Sequence, residues 1–279
     1  MVTFSIDDGH PADLHTAELL NKYGLAATFY IPRGNAEREV LSPVEIRALA
    51  KQFEIGAHTI NHVSLNSVSE RCAWKEIHEG KDWLEQVVGR KVVSFCYPKG
   101  KFNRNIVTMV RNAGFLGART CLINLHCLPR DPFICGVSTQ AWSHSRTVQL
   151  RHAVLERNFA GALNFVRVYK GETDWQRHFL HALDYVELHG GVAHLSLHSW
   201  EIDTHDNWQK LELVLKHVAE RKRLVSLTNG ALFQLSKNRY TQSSTTDLAP
   251  VQTTPEGAIC STLHSDCGTE LSPYERPTE

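Results

Sequence analysis

The chain of 279 residues contains no apolar run approaching the roughly 20 residues of a membrane-spanning helix, so no helical span is expected. It also lacks an excess of charge of either sign. Thirty Lys and Arg face 30 Asp and Glu, which leaves no overall basic field to draw it to nucleic acid or to anionic lipid. A charged n-region followed by an apolar h-region is missing at the start, where Met1 runs straight into an alternating segment; a cytoplasmic location is the expectation. The seven cysteines are odd in number and include no CxxC pair, which argues against a disulfide framework. Four residues, Cys121, His126, Cys127 and Cys135, crowd together, but their spacing matches no zinc finger or ribbon.

What is present is enough apolar residue, 42%, to bury a full core, together with 16 histidines. Strand and helix patterns alternate. "VTFSI" (2–6), "LAATFYI" (25–31), "FEIGAH" (53–58), "KVVSFCYP" (91–98), "FLGART" (115–120), "FICGVS" (133–138) and "VAHLSLHSW" (192–200) read as strands. Helical patterns fall at 11–24, 42–52, 69–88, 103–113, 146–159, 174–189 and 207–221. Ser42-Pro43-Val44-Glu45 forms a capping box with proline at the first helical position. "ALNFVRVY" (162–169) suits a further strand, and 224–235 a closing strand plus short helix. Strand–helix units in one run imply a parallel α/β fold. One domain is expected over 1–235, followed by a polar tail over 236–279 rich in Ser, Thr and Pro, expected to be disordered.

The residues that end these strands can bind a cation or move protons. The first strand ends in Asp7-Asp8, the third in "HTINH" with His58 and His62, the fourth in "FCYPKG", and the late one in "LSLHSW" with His198. A helical turn after His58 would put both imidazoles on one face, able to grip one ion. Active sites assemble at the carboxyl ends of strands in barrels and open α/β sheets.

In this order, "FSIDDG", "HTINH", "FCYPKG" and "LSLHSW" resemble the polysaccharide deacetylases of the NodB-homology, carbohydrate esterase family 4 type, over roughly residues 2–235. The resemblance implies an α/β fold, a distorted (β/α)7-type barrel, and metal-dependent hydrolysis of N-acetyl, or O-acetyl, groups on an amino-sugar carbohydrate. It implies Asp7 as general base, Asp8, His58 and His62 as ligands of a divalent metal, and His198 as general acid. Zn2+ is the expected ion, and the donor types also suit Co2+, Mn2+ or Fe2+. The backbone N–H of Lys99 becomes a candidate oxyanion donor, Leu197 a lining for the acetyl methyl, and Tyr97 and Trp200 candidate sugar platforms. Two departures stand out. Cys96 occupies the place of the family's motif arginine, with Arg119 on the next strand as a substitute. The motif aspartate that tunes the catalytic histidine has only Asp174-Trp175 as a match by composition. An allantoinase-like hydrolase of a small cyclic amide, or a carbohydrate-binding member without turnover, keeps the same residues with a different outcome.

Overall fold

A computed structural model describes residues 1–246. In chain order the elements are β1 (Val2–Asp7), α1 (Asp13–Lys22), β2 (Thr28–Ile31), α2 (Pro43–Leu49), β3 (Glu54–Ala57), α3 (Glu70–Val88), β4 (Ser94–Cys96), α4 (Arg104–Asn112) and β5 (Gly117–Arg119). They continue with β6 (Thr139–Gln140), α5 (Arg146–Leu155), α6 (Phe159–Arg167), α7 (Trp175–His189), β7 (Ala193–Leu197), α8 (Ser199–Thr204), α9 (Trp208–Glu220), β8 (Ser226–Leu227) and α10 (Asn229–Thr246). Every strand pairing is parallel, in the order β5-β4-β3-β2-β1-β7-β6, with β8 on the early part of β1. The sheet curls into the expected barrel-like form, but among the described residues no full strand closes it. Residues 135–140 bridge the gap: Cys135 bonds to β5 through Ala118 O, and Ser138 bonds to β7 through His194 O. The strand expected over 133–138 is therefore a seam that changes partners halfway, too short on either side to form a ladder.

Alternation along the strands sorts two environments. Val2, Phe4 and Ile6 of β1 join the apolar cluster under the helices, while Thr3, Ser5 and Asp7 are buried polar residues facing the lumen. On β7, Ala193, Leu195 and Leu197 take the apolar side and His194 and Ser196 the lumen. Gly56 on β3 leaves the space that the Tyr30 ring fills; a Cβ there would lie 2.4 Å from the ring. The far end of the lumen is sealed by the start of α10. Asn229 donates through Nδ2 to Ser5 Oγ and Tyr30 Oη, and the Gly230 N–H is accepted by the Glu54 carboxylate. This helix continues to Thr246 and so crosses the expected tail boundary at 236; the remainder of that tail, with Cys260 and Cys267, lies outside the described residues.

Local signals account for most helix ends. Ser42 and Glu45 form the capping box reciprocally. Gly89 takes a left-handed conformation, φ 70°, at the end of α3, where a glycine carries no Cβ penalty. The exception is 162–169, expected as strand and observed mostly as α6. Its apolar residues fit a period of two, but Asn158 caps the helix by accepting the Gly161 N–H, and Gly161 sits tightly against Ile123 O.

Candidate active site

The two aspartates at the end of β1 point to different partners. Asp8, at φ 80°, is in a left-handed conformation that turns its carboxylate away from Asp7. Asp8 Oδ1 lies 3.1 Å from His62 Nε2 and 3.6 Å from His58 Nε2, all three side chains being buried. His58 Nδ1 lies 2.8 Å from Cys96 O and donates to it, which leaves Nε2 as a lone pair facing Asp8. Burial lowers the His58 pKa, partly opposed by Asp8, so the imidazole stays neutral as a ligand requires. For Asp8, burial acts upward, but the close approach of the His58 and His62 rings and the charge of His198 outweigh it and hold the carboxyl below the usual range.

The loop between the histidines does not make the expected helical turn. Thr59 and His62 are left-handed, φ 64° and 54°, and the turn is pinned from α3. Glu76 accepts the N–H groups of Ile60 and Asn61 at 3.1 and 2.9 Å, and the Asn61 side chain at 2.7 Å. One turn further along α3, Gly80 lets the helix approach so closely that a Cβ would meet the Thr59 carbonyl carbon at 2.7 Å. With Asp8 and Lys99, four of the eight non-glycine residues at positive φ among the described residues lie around this site. Each such conformation costs on the order of 1–3 kcal/mol and persists only where surrounding contacts over-determine it.

Asp7 faces the other way, into the lumen. Arg119, fully buried at the end of β5, forms an ion pair with Asp7 Oδ2, and its Nη2 lies 2.9 Å from Cys96 Sγ. Burial pushes the Cys96 thiol well up, so it meets the guanidinium as a neutral group. Arg119 thus reaches the place left open where the short Cys96 stands. His198 Nε2 lies 4.0 Å from Asp7 Oδ2, and its Nδ1 lies 2.9 Å from Glu201 Oε2. Burial works to lower the His198 pKa, but the Glu201 hydrogen bond and the Asp8 charge outweigh it, and the pKa is raised above 6.5. Glu201 was not singled out from the sequence, although a strand-ending His followed three residues later by Glu has the spacing of a helix N-cap and N3 pair.

Other expected contacts fall elsewhere. Leu197 is packed in the apolar cluster, because period-two alternation turns it away from the lumen that His198 faces. Tyr97 is fully buried, stacked on Phe102 with its hydroxyl donating to Phe133 O, so its faces are not open platforms. The Trp200 Nε1–H donates to Asp8 Oδ2 at 3.0 Å, and the Arg38 guanidinium covers its ring at 3.5 Å from a ring centroid. Trp200 holds a carboxylate; one face is already occupied. Lys99 lies on the pocket wall at φ 56°, its Nζ paired with Glu37. Asp174 caps α7 and pairs with Lys210, with no contact to His198.

Among the described residues, two groups of three could hold a metal ion: Asp8 with His58 and His62, and Asp7 with His58 and Cys96. The first fits better. Its donors are one carboxylate and two imidazoles, and Asp8 Oδ1 is buried without a hydrogen-bond partner. In the second, Asp7 and Cys96 already meet the Arg119 guanidinium, whose positive charge opposes a cation. Cys121, Cys127, Cys135 and His126 form no such group among the described residues. The site opens into a pocket of about 420 Å³ that includes both aspartates, His58, His62, His198 and Trp200.

Residues 1–118 match a family model described as polysaccharide deacetylase. The chain is 29% identical over 135 residues to a peptidoglycan-N-acetylglucosamine deacetylase of Bacillus cereus, covering 47% of this chain and 60% of that protein. The alignments span 42% and 60% of the curated relatives it matches. Among solved structures, the fold is similar to the peptidoglycan deacetylase PdaC of Bacillus subtilis, with TM-score 0.52 and 15% identity over 89% of this chain and 97% of that one. It is also similar to the chitin deacetylase of Colletotrichum lindemuthianum, with TM-score 0.51 and 16% identity over 83% and 86%.

Proposed function

We propose, for a chain whose residues 1–118 match the polysaccharide deacetylase family model, that this pocket hydrolyses N-acetyl groups on an amino-sugar carbohydrate. The observation that carries the reading is the convergence of three groups at one strand edge: the Asp8–His58–His62 triple, the Asp7–Arg119 pair and His198. The N-acetylglucosamine named for the Bacillus cereus relative supports the amino-sugar class.

Asp8, His58 and His62 would hold a divalent cation, Zn2+ suiting this donor set. Such a cation supplies a Lewis acid that lowers the pKa of water and polarises the acetyl oxygen. Asp7 takes the proton of the attacking water, and Arg119 fixes the carboxylate that does so. His198 gives a proton to the departing nitrogen, because an amine cannot leave as its anion near neutral pH. Glu201 on Nδ1 keeps His198 oriented with Nε2 toward the site and favours its charged form. The Lys99 N–H is the proposed donor to the oxygen that gains charge. Trp200 and Glu76 position ligands without touching substrate.

The test is acetate release from an N-acetylated amino-sugar oligomer in the presence of zinc, cobalt or manganese. Release that is lost on chelation and restored by added metal supports the reading. No release with any of the three, or release indifferent to chelation, overturns it.

A further inference from the structure

The α5–α6 hairpin is built unlike the rest of the surface. Twelve large apolar side chains are exposed among the described residues, and five of them lie here: Val154, Leu155, Phe159, Leu163 and Val166, between 49% and 70% exposed. On α6 the last three recur at i, i+4 and i+7, which sets them along one outward stripe. The opposite face of the same short helix is already used, since Gly161 and Phe165 are buried against the body of the protein. The helix is therefore apolar on both sides, and nothing in the described chain covers the second.

Charge on this segment is equally one-sided. Residues 146–170 carry Arg146, Arg151, Arg157, Arg167 and Lys170, all exposed, against the single acid Glu156, whereas the whole chain is neutral. An apolar stripe flanked by arginines and lysine is the composition that seats a helix in the headgroup layer of an anionic bilayer, apolar side chains inward and cations at the phosphates. A second protein surface or another copy of this chain would need matching acidic and apolar groups; a bilayer supplies both at any point.

The hairpin also adjoins the pocket. Val148, Gln149 and Glu156 form part of the pocket wall, and α6 is tied to the same rim by Asn158 to Ile123 O and Asn164 to Asn124 O, both at 2.8 Å. We propose that α5–α6 is a docking surface for an anionic phospholipid membrane, which brings the pocket mouth to the lipid surface. Combined with the deacetylase reading, on which this clause rests, the substrate class becomes an acetylated amino sugar presented on a lipid.

The test is co-sedimentation of the full chain with vesicles of phosphatidylglycerol and phosphatidylcholine in equal parts, compared with phosphatidylcholine alone. The full chain should pellet with the anionic vesicles and be released by salt. Phe159→Ser/Leu163→Ser/Val166→Ser and Arg151→Glu/Arg167→Glu should each lower partitioning about tenfold or more. Both variants should release acetate from a soluble acetylated amino sugar at the rate of the unaltered chain, which shows that they fold. Failure to pellet, as when the face pairs with a second copy or with the acidic 247–279 segment, overturns the docking surface. So does pelleting that both variants retain. Vesicle binding by a full chain that releases no acetate from the soluble substrate would instead count against the deacetylase reading alone.

Discussion

Arg119 at the end of β5 pairs with Asp7 at the end of β1, although three strands separate them in the sheet order. The contact crosses the lumen and is possible because Cys96, on the intervening β4, is short enough to leave the guanidinium its place. Replacing Arg119 by Ala leaves a buried carboxylate without its counter-charge, which should cost about 3–5 kcal/mol of stability. Arg119→Lys keeps the charge but loses the planar guanidinium, whose Nη2 meets both Asp7 and Cys96 while Nη1 holds Thr120 O. Denaturant unfolding should separate the two, with Lys the milder, while kcat falls in both and KM moves little. A fully stable Arg119→Ala protein would show that the pair is incidental.

Glu201 makes the pH dependence local to one residue. The His198 pKa is raised above 6.5 with Glu201 as the leading favourable partner, against burial. Its protonated form is thus present below 6.5 and is lost as pH rises through the higher folded value. The same sign holds for stability: the His198–Glu201 contribution is complete at low pH and fades on the alkaline side. In Glu201→Gln the alkaline limb of kcat should move to lower pH. An unmoved limb would remove His198 from the role of acid.

Trp200→Phe keeps the ring under Arg38 and deletes the N–H that Asp8 Oδ2 accepts. Groups that orient a ligand typically change metal affinity about 10–100-fold. Metal titration should therefore show weaker binding in Trp200→Phe, with KM for substrate changed less than metal affinity. A sugar-platform role would give the reverse, with unchanged metal affinity and a raised KM.

Much of the site was legible because strand-ending polar residues announce themselves. Asp7, Asp8, His58, His62 and His198 each follow an alternating apolar segment, and the parallel fold brings such ends to one edge. What the sequence hides is decided by partners distant along the chain. Glu76 and Gly80 read only as helix residues, yet they shape the turn that carries His58 and His62. The 162–169 segment has an apolar pattern that fits a strand as well as a helix, and the Asn158 cap decides. Leu197 and Tyr97 sit beside functional residues in sequence, but Leu197 packs into the apolar cluster, and Tyr97, at the pocket wall, has its ring stacked on Phe102 and its hydroxyl held by Phe133 O.

The central claim is that the two neighbouring aspartates do different work, and Asp7→Asn against Asp8→Asn separates them. Metal content after equilibration with zinc, read beside acetate release from an N-acetylated amino sugar, is the direct measurement. Asp8→Asn should bind little metal, as should His62→Ala. Asp7→Asn should retain metal near the level of the unaltered chain and lose about 10²–10⁴-fold in rate, the usual worth of a general base. An Asp7→Asn protein that hydrolyses at the full rate, or an Asp8→Asn protein that keeps its metal, would contradict the account.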